Sequence, residues 1–207
     1  MPASALAARR HWVFDLDGTL TLAVHDFALI RRELCIPAGQ DILGHLAALP
    51  AAEAAAKRAW LLAHERELAV AALPAPGAVA LLRALHGGGC ALGILTRNDH
   101  ALARLSLAEI GVLDLFADEA IVGRDEATPK PDPAGLLLHA ARWARPPADL
   151  VMVGDHGYDL EAGRAAGAMT VFVGADNAWP GLSDHAYADC AALLAALQGT
   201  DVRCPPP

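Results

Sequence analysis

The chain has 207 residues, 55% hydrophobic and 19% charged, which argues against intrinsic disorder and leaves room for one substantial core with a small inserted subdomain. Sixteen basic residues against 24 acidic ones give a formal charge of −8, which argues against a nucleic-acid partner. No apolar run approaches the roughly 18–20 residues of a membrane span, so no membrane partner is expected. Cys35, Cys90, Cys190 and Cys204 lack any CxxC spacing, and the ten residues ending in Arg9-Arg10 do not resemble a cleavable signal peptide. The expectation is a reduced, cytoplasmic protein.

In chain order, the first apolar run, 12–14, reads as a buried strand ended by the Gly18-Thr19 turn. Residues 22–75 contain no convincing strand. Helical patterns cover about 27–34, 40–49 and 51–73, punctuated by Pro37-Ala38-Gly39 and Pro50 and closed by Pro74-Ala75-Pro76-Gly77. The spacing then predicts helices over 76–85, 99–109, 132–144 and 158–166, alternating with strands over 90–95, 120–122, 150–153 and 169–173. Such alternation implies an α/β, doubly wound parallel sheet with both faces covered, and ligands bind beyond the carboxyl ends of its strands. The domains expected are a core of 1–21 with 76–207 and a helical cap of 22–75. That insert follows the first strand directly, so it is placed to be a lid; the competing reading is a helical layer that only adds stability. The tail, 201–207, reads as frayed.

Four positions carry chemistry. In the run FDLDGTL, Asp15 and Asp17 point the same way, with Cα atoms about 7 Å apart. Two converging carboxylates are costly unless a cation or a proton relieves them, and Mg2+ prefers such oxygens. Thr96 in GILTRND sits where a strand meets a helix start; its hydroxyl can hold a phosphate oxygen, or Thr96, Asn98 or Asp99 can cap the helix. Lys130 lies in TPKPDP, between prolines that restrict the backbone. The chain has 14 arginines and only two lysines, so a lysine there suggests that a compact point charge is wanted. In VMVGDHGYDLEAG, Asp155 stands at a strand tip and Asp159 in the next turn; metal binding and helix capping by Asp155 are both open.

Taken in order, these runs resemble the four signature motifs of the haloacid dehalogenase-like (HAD) superfamily, from about residue 11 to 197. The insert is similar to the type 1 cap of the phosphoglycolate phosphatase and β-phosphoglucomutase branch. The resemblance implies a Rossmann-like core and a Mg2+-dependent phosphatase acting on a small phosphorylated metabolite, phosphoglycolate-like or a sugar phosphate, through an aspartyl phosphate. By the resemblance Asp15 is the nucleophile, and Asp17 protonates the leaving alcohol and then deprotonates the attacking water. Mg2+ is held by Asp15, the Asp17 main-chain carbonyl and Asp155. Thr96, Lys130 and N–H groups near Gly18 hold the transferring oxygens, with Asp159 in support. Relatives that dehalogenate or cleave phosphonates generally lack the aspartate that stands here as Asp17, which favours phosphoryl transfer.

The chain also departs from the pattern. Its run is DGTLTLAVHD where many relatives carry an acid soon after DGT, and its 54-residue insert is shorter than the usual bundle. Candidate substrate contacts are His25, Arg31, Arg32, Lys57, Arg97, Asn98 and His156, each also readable as a solvated surface residue. A phosphomutase and a non-catalytic module on the same scaffold are the rival functions; the four intact motifs oppose the second.

Overall fold

The computed structural model describes residues 3–199. The tail read as frayed, and Cys204, lie outside the described residues. The short apolar runs form parallel strands: β1 (His11–Phe14), β2 (Ala91–Leu95), β3 (Ile121–Val122), β4 (Leu150–Gly154), β5 (Met169–Val173) and β6 (His185–Tyr187). They make one sheet in the order β3-β2-β1-β4-β5-β6, with Phe14 in register with Ile94 on one side and Val153 on the other.

Side chains alternate across the pleat, so each strand feeds two cores. Trp12, Phe14, Ile94, Val151 and Val153 face one layer, packed by α1 (Ala3–Ala7), α5 (Ala78–Gly87), α6 (His100–Glu109) and α9 (Cys190–Gly199). Val13, Leu95, Val122, Leu150 and Met152 face the other, under α7 (Ala134–Arg142) and α8 (Gly157–Ala166). Burying each large apolar side chain stabilises by roughly 1.5–3 kcal/mol. The chain leaves β1 to build one half of the sheet through β2 and β3, then returns to β4 on β1's other side. The switch point therefore falls between the ends of β1 and β4, where Asp15 and Asp155 emerge.

The insert forms α2 (Phe27–Glu33), α3 (Ile42–Ala48) and α4 (Ala51–Val70). Ile30, Leu34, Ile36, Leu46 and Leu61 give it a small core of its own. Asp26 and Asp41 cap α2 and α3, each accepting from main-chain N–H groups of the first turn. The two connections to the sheet run side by side: the Leu22 N–H donates to the Leu73 carbonyl and the Ala75 N–H to the Leu20 carbonyl, both at 2.9 Å. The helix expected over 40–49 begins at Ile42 because Asp41 is its cap.

Other boundaries move for local reasons. Ala120 closes a short 3-10 turn, so the strand expected over 120–122 keeps two residues. The helix expected from 132 begins at Ala134, whose N–H donates to Asp132 Oδ1 at 2.9 Å. α1, β6 and α9 have no counterpart in the sequence expectations.

Candidate active site

β1 stops at Phe14, and the Asp15 N–H donates to the Val153 carbonyl at 2.9 Å, which pins the residue after β1 to β4. Asp15, Asp155 and Asp159 each bring a carboxylate oxygen to within 4.8 Å of the others. Two glycines make this approach possible. Gly18 has φ +94°, and a Cβ there would stand 2.4 Å from Asp155 Oδ2; a Cβ on Gly154 would stand 2.3 Å from the Asp159 Cβ. The Gly18 N–H donates to the Thr21 carbonyl at 3.0 Å, so this residue contributes room to the site. Thr19 Oγ1 donates to Asp155 Oδ1 at 2.8 Å and fixes that carboxylate's orientation.

Lys130 is buried, with Nζ 2.5 Å from Asp15 Oδ1 and 2.6 Å from Asp159 Oδ1. The Lys130–Pro131 peptide is cis. Asp159 Oδ2 accepts the His156 N–H at 3.0 Å, so both of its oxygens are engaged. His156 Nδ1 accepts from the Tyr158 N–H at 3.1 Å, and the His156–Asp159 pair forms the capping box of α8. Capping of that helix by Asp155, one of the two readings left open, is therefore not what the structure shows. Likewise α6 is capped by Asp99. Thr96 Oγ1 accepts the Asn98 N–H at 3.1 Å, and Asn98 Nδ2 donates to Asp17 Oδ2 at 3.4 Å. Both residues are buried. The β2 loop thus reaches the second aspartate through Asn98.

The charges are crowded. Burial, then Asp15 and Asp159, push the Asp155 carboxyl up to about 7 against the Thr19 hydrogen bond. Burial raises Asp159 to about 6 even with Lys130 pulling the other way. Asp17 is raised by burial and by Asp15, and His25, Asn98 and Lys130 only partly offset this. Burial draws the Lys130 ammonium down, but Asp15 and Asp159 outweigh it and hold its pKa above the ordinary value. One ammonium among these carboxyls leaves a deficit of positive charge.

Above the carboxylates lies a cavity of ≈ 260 Å³ bounded by the insert. Of the expected substrate contacts, His25, Arg31, Arg97, Asn98 and His156 line it. Arg32 and Lys57 are not on its wall: Arg32 is exposed beside Glu33 at 3.5 Å, and Lys57 pairs with Glu53 at 3.2 Å. Arg97 donates to the Lys130 carbonyl and to Asp41, and its guanidinium lies 4.8 Å from the Tyr158 ring centroid. It ties three loops together across the cavity mouth. Sequence reasoning passed over Asp41, Tyr158 and Glu65. Glu65 stands on the buried stripe of α4 with Ala54, Leu61 and Ala69, and an acid on an apolar stripe was the signal available.

A parallel α/β sheet with carboxylates, a buried lysine and a buried threonine hydroxyl at its switch point defines a hydrolase-type centre of the Rossmann-like class. The comparisons make this particular. Residues 10–167 match the model of the haloacid dehalogenase-like hydrolases, and the chain belongs to that family. An uncharacterized hydrolase of Saccharomyces cerevisiae is 32% identical over 169 residues, 78% of this chain and 75% of that protein. A phosphoglycolate phosphatase of Xylella fastidiosa is 31% identical over 184 residues, 79% of this chain and 80% of its own. A crystal structure of a hydrolase from Pseudomonas syringae superposes with a TM-score of 0.73 at 24% identity, covering 91% of this chain and 98% of that one. The last of these speaks for the fold alone.

Proposed function

We propose that this phosphoric monoester hydrolase, a HAD-like phosphatase, cleaves a small phosphorylated metabolite in a Mg2+-dependent reaction through a phosphorylated Asp15. The observation that supports it most is the Asp15–Lys130–Asp159 chain of ion pairs, with Asp155 beside it and Asp17 lining the same cavity. Asp15 Oδ2 is the nucleophile, since Oδ1 is held by Lys130. Asp17, whose carboxyl is raised by burial, holds a proton for the leaving oxygen and accepts one from the water that follows. Thr96 and Lys130 hold the transferring oxygens. Asp159 and Asn98 are positioning residues: one aims the lysine, the other the acid.

The donor set fits a hard divalent cation, because Asp155 lies beside Asp15 with no cationic partner among the described residues and its carboxyl is pushed up to about 7. Asp15, the Asp17 main-chain carbonyl and Asp155 would hold it. When bound, Mg2+ supplies charge neutralisation at the phosphate. Residues 22–75 act as the cap domain, a lid that excludes water over a core of 1–21 and 76–207. No described helix is long and apolar enough to cross a membrane, and Cys35, Cys90 and Cys190 are free, which supports a cytoplasmic setting.

The test is phosphate release from 2-phosphoglycolate, sugar phosphates and nucleoside monophosphates, with Mg2+ or with chelator. Turnover of at least one ester, abolished by chelator and by Asp15→Ala, is expected. Turnover that survives Asp15→Ala would remove the nucleophile from the proposal.

A further inference from the structure

The insert supplies one wall of the cavity. Most of that wall is apolar: Phe27, Ile30, Ile42, Leu43 and Leu61. Three charged residues of the insert interrupt it, Arg31, Asp41 and Glu65. Arg31 donates from Nε to the Gln40 carbonyl at 3.1 Å and from Nη1 to the Phe27 carbonyl at 3.3 Å, so it braces the insert's own backbone. Asp41 caps α3 through one oxygen, 2.7 Å from the Gly44 N–H, and accepts from Arg97 through the other. Both groups are committed to architecture.

Glu65 is different. It is only 8% exposed, and Arg124 Nη1 donates to its Oε1 at 2.9 Å. The same nitrogen lies 2.9 Å from Oε2 as an ion pair without a hydrogen bond, so Oε2 is a buried acceptor that receives no hydrogen bond from any described residue. A buried acceptor left unpaired is costly, so such an atom marks a place where a donor belongs. Both oxygens stand at equal distance from Nη1. A rotation about the last torsion of the side chain, which is soft for a carboxylate, can keep the Arg124 contact with one oxygen while the other turns to a ligand. Glu65 also lies close enough to Asp17 and Asp99 for their charges to act on it. Asp17, the group assigned above to the leaving oxygen, lines the same cavity as Glu65, so an alcohol bound there shares a wall with both.

We propose that Glu65 is the specificity-determining residue of this site and selects phosphate monoesters whose small alcohol carries a hydrogen-bond donor, a hydroxyl or an ammonium, over esters carrying a carboxylate. The assignment rests on the phosphatase reading above. The cavity, ≈ 260 Å³, takes a phosphate with a short alcohol, and it adjoins a second one of ≈ 830 Å³ that shares Asp41, Leu61 and Arg97. An ester with a carboxylate in place of that donor would set two acceptors against each other and leave Oε2 unpaired. Arg31 of the insert and Arg97 of the core are the guanidiniums on the cavity wall, and their hydrogen bonds hold them to the protein; His25 of the insert lines the cavity beside them.

Three esters of matched length test this: 2-aminoethyl phosphate, 2-hydroxyethyl phosphate and 2-phosphoglycolate, each measured as kcat/KM with Mg2+ on the whole chain at about pH 8.5, above the value of about 7 to which burial raises Glu65, so that its carboxyl is ionised. The two donor-bearing esters should exceed 2-phosphoglycolate by at least about tenfold, the scale of one hydrogen bond to a charged group. Glu65→Gln keeps an acceptor for Arg124 and removes the charge. It should cut the ratio of 2-aminoethyl phosphate to 2-phosphoglycolate by about 10–100-fold. A wild-type preference for 2-phosphoglycolate, or a ratio unchanged within threefold in Glu65→Gln, overturns the assignment. p-Nitrophenyl phosphate separates the two levels of the argument, since its turnover tests the phosphatase reading without the donor. If none of the esters is hydrolysed, the phosphatase reading falls, and the Tm shifts that the three matched esters give still decide for Glu65. The donor-bearing esters should stabilise the wild type more than 2-phosphoglycolate, with that order lost in Glu65→Gln; the reverse order refutes the assignment.

Discussion

Replacing Lys130 by methionine keeps most of the side chain's volume and removes only the ammonium. In the native protein that ammonium is buried between Asp15 at 2.5 Å and Asp159 at 2.6 Å, with the Asp155 carboxylate in the same cluster. Breaking a buried pair while leaving its partner charge in place costs about 3–5 kcal/mol, and here two partners are stranded. The loss must depend on pH. Asp159 is raised to about 6 and Asp155 to about 7 while Lys130 is still present. A carboxyl with a folded pKa above its unfolded value binds more protons when folded. Its contribution is complete below the unfolded pKa, near 3.8, and is lost as pH rises through the folded one. Without Lys130 the folded values rise further, so at pH 5.5 a proton takes over the ammonium's role and the penalty shrinks to about 1–2 kcal/mol, the scale of a hydrogen bond. Urea unfolding followed by circular dichroism, in chelator at pH 5.5 and 7.5, measures both numbers. A destabilisation below about 1 kcal/mol at pH 7.5, or one equal at the two pH values, would refute the reasoning.

Two further outcomes are expected. Asp17→Asn should keep Mg2+ binding through the main-chain carbonyl and lose roughly 10²–10⁴-fold in turnover, so activity within tenfold of wild type removes Asp17 as acid and base. His139 is fully buried, 3.0 Å from the Ile94 carbonyl, and burial lowers its pKa from 6.5 to about 4. The unfolded chain takes up that proton first, so stability falls as pH drops below 6.5, by about 2 kcal/mol at pH 5. Glu65, raised to about 7, acts with the opposite sign, since its contribution is complete below 4.5 and is lost as pH rises through 7. The measurement is therefore a difference: from pH 7 to pH 5 the wild type should lose about 2 kcal/mol more than His139→Gln, and parallel pH profiles would count against it.

The strands whose ends carry Asp15 and Asp155 were legible because they are buried and read as unbroken apolar runs, 12–14 and 150–153. β6 was not. It lies at the sheet edge, three residues long, with no fully buried side chain. Its sequence, His-Ala-Tyr, carries neither an apolar run nor a clear alternation. α1 and α9 are alanine-rich, and although Asp189 caps α9 by accepting the Ala192 N–H at 2.7 Å, what holds both is tertiary packing of Leu6, Leu193 and Leu197 on the sheet. At the site, residue types and order pointed to all four motifs, because each stands at the end of a strand or in a loop with an unusual composition. What the order could not give was which partner each group takes. The Asp15–Lys130 and Lys130–Asp159 pairs join residues far apart in the chain, and the choice of His156 and Asp99 as helix caps depends on main-chain geometry that several neighbouring residues could have satisfied.

A chain of formal charge −8 is an unpromising host for a phosphate, and its site sharpens the difficulty. With Asp15, Asp17, Asp155 and Asp159 ionised and Lys130 protonated, the local charge is −4 + 1 = −3. Burial, with mutual repulsion added, pushes three of these carboxyls upward, Asp17, Asp155 and Asp159. Two devices can offset the charge. A proton on Asp17 removes one negative charge at the position where a leaving oxygen needs one, and a divalent cation beside Asp15 and Asp155 removes two more. On the proposed reading these are the acid and the metal of the reaction. Burial first, and then mutual repulsion, raise the three carboxyls, and the repulsion is the part that favours uptake of the cation as well as of the proton. Lys130 alone, braced by Asp159, keeps its charge throughout and gives the transferring oxygens a fixed positive partner.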